Sequence, residues 1–361
     1  MIQNLFSKKL FKPMQKILFL GRPFSYLINT LNKEGVLYDV WEFDRALSES
    51  ELIKNYSAVV CLSLNLALNS SSARLFISVI ENSHRNAPIF FWTHEPFWDS
   101  TKFHEEIYFG KNVFFFNPII GNVYFSPFSH YFGVGGYLWS DSRIKRVDLP
   151  NKDYLERRFN NGFDKSGHKI CAYAGCFSDK RIDISGSIVR YRNDIIKYFY
   201  DQGFVDVYGR NWRGEWALDV QDESRSGIVQ DGKQISWGKI KVDNSRVNYS
   251  YSICLENCRI KNYVTEKIAH AIESYNLPIY CSGNGLTDYM DLSAAILIDC
   301  KEGDEKYSLD LIKSITFNEY YERLREITES YNQAISQTKF IDLERRRPAE
   351  FLVKRIKEVM Q

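Results

Sequence analysis

The sequence has no run of 18 or more consecutive apolar residues, and a run of that length is what a helix needs to cross a bilayer. Its first 20 residues contain lysines but neither a long apolar core nor a small-residue cleavage site, so we do not expect a signal peptide. The 7 cysteines include no Cys-x-x-Cys pair, and several lie inside apolar runs, as reduced and buried thiols do. These absences favour a cytoplasmic protein without a structural zinc site.

Neither sign of charge dominates the sequence. The 47 basic and 45 acidic residues leave a net charge of +2, which argues against a protein that binds nucleic acid through phosphate contacts. Basic residues are denser near the two ends, in 8–16 and 345–357. Two interpretations of these ends stay open: they are solvated surfaces, or they attach the protein weakly to the anionic inner face of a membrane.

Short apolar runs alternate with segments of helical periodicity along the whole chain. This alternation predicts βαβ units with parallel sheets, and a length of 361 residues suits two domains. In the first half the predicted strands are 16–21, 38–41, 57–64 and 87–95. In the second half they are 168–175, 204–209, 248–257, 277–283 and 293–299.

The predicted N-terminal domain covers 1–150, and the predicted C-terminal domain covers 151–335. Residues 151–168 are strongly polar, so we assign them to the linker between the domains. Residues 210–245 are interpreted as a long polar insertion. The last segment, 336–361, is predicted to be a helix that crosses back onto the first domain.

The segment 251–283 carries the most chemical information. Its strand is predicted to end just before Glu256 and Asn257, which places both at the carboxyl edge of a parallel sheet, where open α/β sheets bind ligands. A helix is predicted from about Val264 on, and Lys267 falls in its first turn. A cation there is unfavourable by about 0.3–1 kcal/mol unless an anion binds at the same helix end.

Two interpretations of this helix start remain from the residues alone. In one, Lys267 and the backbone N–H groups converge on a phosphate, and Glu266 accepts hydrogen bonds from ribose hydroxyls. In the other, Glu266 only favours the start of the helix and Lys267 is a solvated surface residue.

The same segment carries an ordered series of motifs. They are Leu255-Glu256-Asn257, then Tyr263-Val264-Thr265-Glu266-Lys267-Ile268, then Pro278-Ile279-Tyr280 and Gly283. This series resembles the signature of glycosyltransferase family 10, the α-1,3/1,4-fucosyltransferases. A fainter similarity to the family extends upstream, over Arg190-Tyr191-Arg192-Asn193 and the run VDVYGR at 205–210. Leu255 stands where the family usually has Phe, Cys258 where it usually has Ser, and the loop 259–262 is more basic than in the family.

The resemblance implies a GT-B architecture, in which two Rossmann-like α/β domains with parallel sheets face a central cleft. It further implies that the C-terminal domain binds a guanosine diphosphate sugar and that fucose is transferred with inversion to a hydroxyl of a glycan acceptor. Arg192 and Lys267 would then contact the donor phosphates, Glu266 the ribose, and Asn257 and Tyr263 would line the donor pocket. A donor linked to CMP or UDP, and a nucleotide-sugar-binding protein without catalysis, remain as alternatives.

The sequence contains no Asp-x-Asp motif, which is the usual mark of a metal-bound diphosphate in glycosyltransferases. In the roles that the resemblance implies, Arg192 and Lys267 would be fixed cations that neutralise a departing diphosphate without a metal ion. We therefore expect transfer that requires neither a metal nor a cofactor. Arg190 competes with Arg192 for this role.

An inverting transfer also needs a base that accepts the proton of the acceptor hydroxyl. The family's proposed base is a glutamate, and Glu95 matches it at the end of a predicted strand in the N-terminal domain. Apolar neighbours such as Phe91 and Trp92 are expected to raise the pKa of Glu95 towards a useful value. His94 is the alternative base, and a capping or surface role is the alternative for Glu95.

Overall fold

The computed structural model describes residues 16–21, 23, 25–41, 56–62, 88–92, 113–117, 146–161, 169–176, 186–209, 211–212, 217–219, 228–230, 233–235 and 237–359. Contacts divide the chain into two compact units. The first unit is formed by residues of 1–123 together with residues of 346–361. The second unit is formed by residues of 124–345.

The first unit is built on a parallel sheet. Its described strands are β1 (Lys16–Leu20), β2 (Leu37–Trp41), β3 (Ala58–Cys61), β4 (Ile89–Trp92) and β5 (Val113–Phe116), with helix α1 (Ser25–Lys33) between β1 and β2. The strand order is β2-β1-β3-β4-β5, and every neighbouring pair is parallel. This is the order of flavodoxin-like doubly wound sheets. Every residue of β3 and β4 is buried, as expected of parallel strands that are covered on both faces.

The second unit contains a larger parallel sheet and a separate hairpin. Its strands are β6 (Ile170–Tyr173), β7 (Val205–Tyr208), β8 (Ala217–Asp219), the antiparallel pair β9 (Ile228–Gln230) and β10 (Lys233–Ile235), and then β11 (Tyr251–Ile253), β12 (Leu277–Cys281) and β13 (Ile296–Ile298). The order in the parallel sheet is β13-β12-β11-β6-β7-β8. If these six strands are numbered 1 to 6 in chain order and the sheet is followed from β8 to β13, the order is 3-2-1-4-5-6, which is that of the Rossmann fold. The direction of the strand order reverses between β6 and β11.

Seven further helices follow α1 in the described part of the chain. They are α2 (Lys152–Asn160), α3 (Val189–Asp201), α4 (Trp237–Asn248), α5 (Lys267–Glu273), α6 (Asp304–Ser314), α7 (Phe317–Ile335) and α8 (Thr338–Val359). None of these described helices combines the length and the apolar character that a bilayer crossing needs. The later part of α8 belongs to the first unit, where Leu352 and Ile356 are buried in one cluster with Ile17 and Phe19.

The predicted α/β architecture with two parallel sheets is confirmed by these two units. All seven cysteines are free, and all but Cys176 are buried, as expected for thiols in apolar runs. Strand β11 ends at Ile253, which is earlier than the sequence pattern predicted.

The prediction of a linker at 151–168 is wrong, because α2 occupies most of it. Asn151 caps this helix, and its Oδ1 accepts the backbone N–H of Tyr154 at 2.8 Å. Leu155 and Phe159, four residues apart, are buried against the core of the second unit. The apolar stripe is only two residues wide, so the surrounding charges concealed it in the sequence.

The interpretation of 210–245 as a polar insertion is also wrong. This stretch supplies β8, which is an edge strand of the parallel sheet, then the β9–β10 hairpin and most of α4. Trp212 is buried and donates its Nε1–H to the carbonyl oxygen of Ala174 at 2.7 Å. Strands of three residues are too short for hydrophobic periodicity to reveal them.

Candidate functional site

The carboxyl ends of β6 and β11 lie side by side in the second sheet. The strand order reverses between them, and open α/β sheets bind ligands in the crevice outside the strand ends at such a switch point. Residues 174–176 follow β6, and residues 254–257 follow β11. This edge of the sheet is therefore the candidate site of the second unit.

Arg192 links the two strand ends at the switch point. Its Nη1 donates to Oδ1 of Asn257 at 2.5 Å, and its Nη2 donates to the carbonyl oxygen of Gly175 at 2.9 Å. The residue is 2% exposed, and this burial lowers the pKa of Arg192. The group stays a cation all the same, because a guanidinium does not lose its proton in proteins.

The position of Arg192 follows from a short backbone pairing in front of α3. The N–H of Ile188 donates to the carbonyl oxygen of Asn257 at 3.0 Å, and the N–H of Arg259 donates to the carbonyl oxygen of Gly186 at 2.7 Å. These bonds hold the first turn of α3 beside the chain that leaves β11. Arg192 lies one turn into the helix on its buried side and therefore points towards the switch point.

A buried carboxylate, that of Glu256, lies at the centre of the site. The residue is 2% exposed, and its Oε1 accepts the backbone N–H of Thr265 at 2.7 Å. Its Oε2 accepts from Oγ1 of Thr265 at 2.7 Å and from Nζ of Lys267 at 3.0 Å. The same ammonium group also donates to Oγ1 of Thr265 at 2.7 Å. Glu256 thus supplies an internal anion to Thr265 and Lys267.

The predicted helix start at Val264 is wrong, because α5 begins at Lys267. The backbone before the helix is held by another loop. The N–H of Asn262 donates to the carbonyl oxygen of Asn284 at 2.7 Å, and Nδ2 of Asn284 donates to the carbonyl oxygen of Tyr263 at 3.1 Å. These contacts, which join residues about 20 positions apart, keep the Tyr-Val-Thr stretch out of the helix.

Lys267 and Glu266 are both held in their charged forms. Burial disfavours the charge of Lys267, but Glu256 and Glu266 outweigh it, and the pKa of Lys267 is raised. Burial likewise opposes ionisation of Glu266, but Lys267, Lys241 and His270 outweigh it and lower the pKa of this carboxyl below its usual range. At neutral pH the site therefore presents a lysine cation beside a carboxylate.

Lys241 belongs to this cluster, and the sequence reasoning missed it. It lies on α4, its Nζ is 3.7 Å from Oε1 of Glu266, and its side chain is 16% exposed. With Arg192 and Lys267 it brings three positive charges to Glu256 and Glu266, so these five side chains carry an excess of one positive charge. Such an excess in a crevice favours an anionic ligand.

A weak sequence signal for α4 did exist. Val242 and Ser245 of α4, together with Tyr249 just after its end, are buried at a spacing close to that of one helix face. The side-chain charge of Lys241 on that helix carried no signal of its own, because its partner is 25 residues further along the chain.

The structure brings together all the donor-site residues predicted in the second unit. They are Arg192, Glu256, Asn257, Tyr263, Glu266 and Lys267. Tyr263 joins the cluster through its hydroxyl, which accepts from Nδ2 of Asn257 at 3.5 Å. Arg192, Glu256 and Tyr263 are buried, whereas Asn257, Glu266 and Lys267 keep exposed surface. A ligand would therefore meet the second group first.

The glycine of the VDVYG run has a structural reason at this edge. Gly209 has a φ of +138°, and a Cβ built there would lie 2.3 Å from the carbonyl oxygen of Ala174. The chain that leaves β7 thus passes against the backbone that follows β6. A side chain would separate the two strand ends beside the switch point.

The predicted base, Glu95, and its alternative, His94, lie outside the described residues. The strand that precedes them, β4, belongs to the parallel sheet of the first unit. Their roles stay predictions.

The sequence matches no protein-family model and no curated protein. Among solved structures, the chain is similar to an α1,3-fucosyltransferase with GDP-fucose, at 16% identity and a TM-score of 0.38, over 94% of this chain and 93% of that one. It is also similar to the HepE protein of Anabaena in complex with UDP and glucose, at 10% identity and a TM-score of 0.39, over 94% and 99% of the two chains. A third is a UDP-forming trehalose-phosphate synthase from Burkholderia vietnamiensis, at 10% identity and a TM-score of 0.36, over 95% and 97%.

Proposed function

We propose that the protein is a metal-independent, inverting glycosyltransferase that transfers fucose from GDP-fucose to a hydroxyl of a glycan acceptor. One observation carries this proposal. The residues that resemble the family 10 signature, Glu256–Asn257 and Tyr263–Lys267, gather with Arg192 at the switch point of a Rossmann-type sheet. That is the position where such sheets bind nucleotides.

The proposed roles follow from charge and exposure. The side chain of Lys267 is 17% exposed and Glu256 fixes the position of its ammonium group, so Lys267 can bind the donor diphosphate without reorganising. Arg192 is buried, so its charge acts on the diphosphate with little screening by water. Glu266 is an ionised acceptor for the ribose hydroxyls, and Asn257 and Tyr263 line the donor pocket.

The reaction then needs a base on the acceptor side, and we assign this role to Glu95. As the bond between the sugar and the diphosphate breaks, the acceptor oxygen attacks the anomeric carbon from the opposite face and its proton passes to Glu95. The cations of the second unit take up the negative charge that develops on the leaving diphosphate.

A thermal-shift screen with GDP, UDP and CMP tests the donor. GDP is expected to raise the melting temperature of the protein, because a ligand that binds only the folded state stabilises it by RT ln(1 + [L]/Kd). Stabilisation by UDP or CMP but not by GDP would reject the fucosyl donor. Leu255 and Cys258, which differ from the family pattern beside Glu256 and Asn257, are the reason to include the other nucleotides.

Hydrolysis of GDP-fucose separates an enzyme from a binding protein. A Glu95→Gln variant is expected to lose transfer to an acceptor while it keeps its affinity for GDP. A variant that transfers as well as the wild type would remove Glu95 from the mechanism. A wild-type protein that binds GDP but never turns over GDP-fucose would contradict the enzyme assignment itself.

A further inference from the structure

The start of α5 presents a carboxylate that does not cap its own helix. Glu266 occupies the N-cap position with helical backbone angles, φ −64° and ψ −11°, and its side chain makes no capping hydrogen bond. N-cap side chains ordinarily accept a backbone N–H of the first turn. The side chain of Glu266 is 39% exposed, and its carboxylate is instead paired with Nζ of Lys241 at 3.7 Å.

The distance between these two groups matters for what Glu266 can still bind. A separation of 3.7 Å is an ion pair but is too long for a hydrogen bond. The attraction therefore orients the carboxylate without itself occupying a lone pair that could accept another donor. A ribose offers two neighbouring hydroxyls, which match the two oxygens of a carboxylate.

Lys241 itself is held in place by its surroundings. Helix α4 lies alongside α5, where Oγ of Ser274 donates to the carbonyl oxygen of Val242 at 3.2 Å and Nη2 of Arg246 donates to the carbonyl oxygen of Glu273 at 2.8 Å. The ammonium group of Lys241 is 5.9 Å from the centre of the Tyr173 ring at the end of β6. The packing of α4 against α5 thus places Lys241 near the switch point.

We propose that Lys241 is a positioning residue for the donor nucleotide, which holds the carboxylate of Glu266 in the orientation that accepts the ribose hydroxyls. This inference rests on the proposed function, because it takes a nucleoside diphosphate as the ligand. Lys241 acts through Glu266 and contacts neither the sugar nor the reacting atoms. If the ion pair only joined α4 to α5, it would stabilise the fold without affecting the preference for nucleotides that carry ribose hydroxyls.

The test compares a nucleotide that has ribose hydroxyls with one that lacks them. Calorimetric titration gives the Kd of GDP and of 2′,3′-dideoxy-GDP, and of UDP and 2′,3′-dideoxy-UDP in parallel. For the nucleotide that binds, the wild type is expected to prefer the ribose form about tenfold or more, the size of a hydrogen bond to a charged acceptor. Lys241→Met is expected to reduce this preference to about threefold or less.

Three further single variants and one double variant make the result specific. Lys241→Arg keeps the charge and is expected to restore the preference. Lys239→Met is the matched control, because Lys239 lies on the same helix, is 63% exposed and pairs with Asp243 at 2.9 Å; it is expected to leave the preference unchanged. Glu266→Gln is expected to lose the preference, and adding Lys241→Met to it is expected to have no further effect.

The outcomes separate this inference from the proposed function. If Lys241→Met, or Lys241→Gln should the first variant not fold, keeps the preference within about twofold of wild type, Lys241 does not position Glu266. A lower melting temperature with an intact preference likewise overturns the positioning role and leaves the proposed function standing. If the wild type binds UDP but not GDP, the fucosyl donor is rejected and the inference is tested with UDP alone. If the wild type binds neither nucleotide, the proposed function fails, and the inference fails with it.

Discussion

The ammonium group of Lys267 lies 3.0 Å from Oε2 of Glu256, a carboxylate whose side chain is 2% exposed. The sequence predicted that Lys267 binds a phosphate at the start of a helix. In the structure that lysine already neutralises a buried carboxylate, and Thr265 donates two further hydrogen bonds to the same carboxylate. Lys267 therefore has a structural role, whatever it binds, and experiments on it must separate stability from activity.

Removing the carboxylate is expected to destabilise the protein strongly. A Glu256→Ala variant leaves Lys267, 17% exposed, and the buried N–H of Thr265 without their shared acceptor. Breaking a buried ion pair from one side costs about 3–5 kcal/mol. Urea unfolding of the full chain measures the change in free energy. Glu322→Ala, which removes an exposed partner of Arg325, is the control and is expected to cost less than about 1 kcal/mol. Equal losses in the two variants would contradict the assigned role of Glu256.

Loss of the lysine is expected to slow transfer. Lys267→Ala should reduce kcat/KM about a hundredfold, the effect of about 3 kcal/mol of lost transition-state stabilisation. The double variant Lys267→Met with Glu256→Gln removes both charges of the pair and is expected to recover stability without recovering activity. Activity within about threefold of wild type in the double variant would show that Lys267 is structural only.

The two arginines at the start of α3 are expected to differ sharply. Arg192 is buried and bridges Gly175 and Asn257, whereas Arg190 is exposed. Arg192→Ala should lower kcat/KM for GDP-fucose at least about tenfold, and Arg190→Ala should change it less than about twofold. Steady-state kinetics on the two purified variants decides this. The opposite order of effects would transfer the phosphate role to Arg190.

Activity is expected to survive the removal of divalent metal ions. Under the proposed function, the positive charge of Arg192, Lys241 and Lys267 at the switch point neutralises the diphosphate leaving group in place of a bound metal. Transfer measured in excess EDTA should keep most of the activity measured without it. Complete loss that magnesium restores would refute the metal-independent mechanism.

The ionisation of Glu266 gives a pH dependence of known sign. Burial opposes its charge, but Lys267, Lys241 and His270 outweigh burial, so its pKa in the folded protein lies below the ordinary value of 4.5. A carboxyl with a lowered pKa stabilises the fold at pH values above 4.5 and loses this contribution as the pH falls through the folded pKa. The contribution is expected to stay below about 1 kcal/mol, because water screens a side chain that is 39% exposed.

Melting temperatures of the wild type and of Glu266→Gln test this dependence. The wild type should melt higher at neutral pH, and the difference should shrink below pH 4.5. A difference that grows on acidification would mean that the carboxyl is protonated in the folded state.

The sequence by itself determined the class of fold and the sheet edge of the candidate site. Parallel strands that are covered on both faces are mainly apolar along their length, and a few neighbouring residues are enough to show this pattern. The strands of this kind are β1, β3, β4, β6 and β12. The motif residues Glu256, Asn257, Glu266 and Lys267 could also be predicted from a local pattern, because they lie within a dozen positions of one another in the sequence.

Only the tertiary structure decided how those residues are used. Arg192 and Asn257, which are in contact, lie 65 positions apart in the sequence, and Lys241 and Glu266 lie 25 positions apart. No local sequence pattern predicts either contact. Helix α5 begins at Lys267 and not, as the sequence predicted, at Val264. The side chains of Glu256 and Asn284 bind the backbone N–H of Thr265 and the carbonyl oxygen of Tyr263, which are then not available for helical hydrogen bonds. Helix propensity and apolar spacing are properties of neighbours, whereas the partner of a buried charge depends on the path of the whole chain.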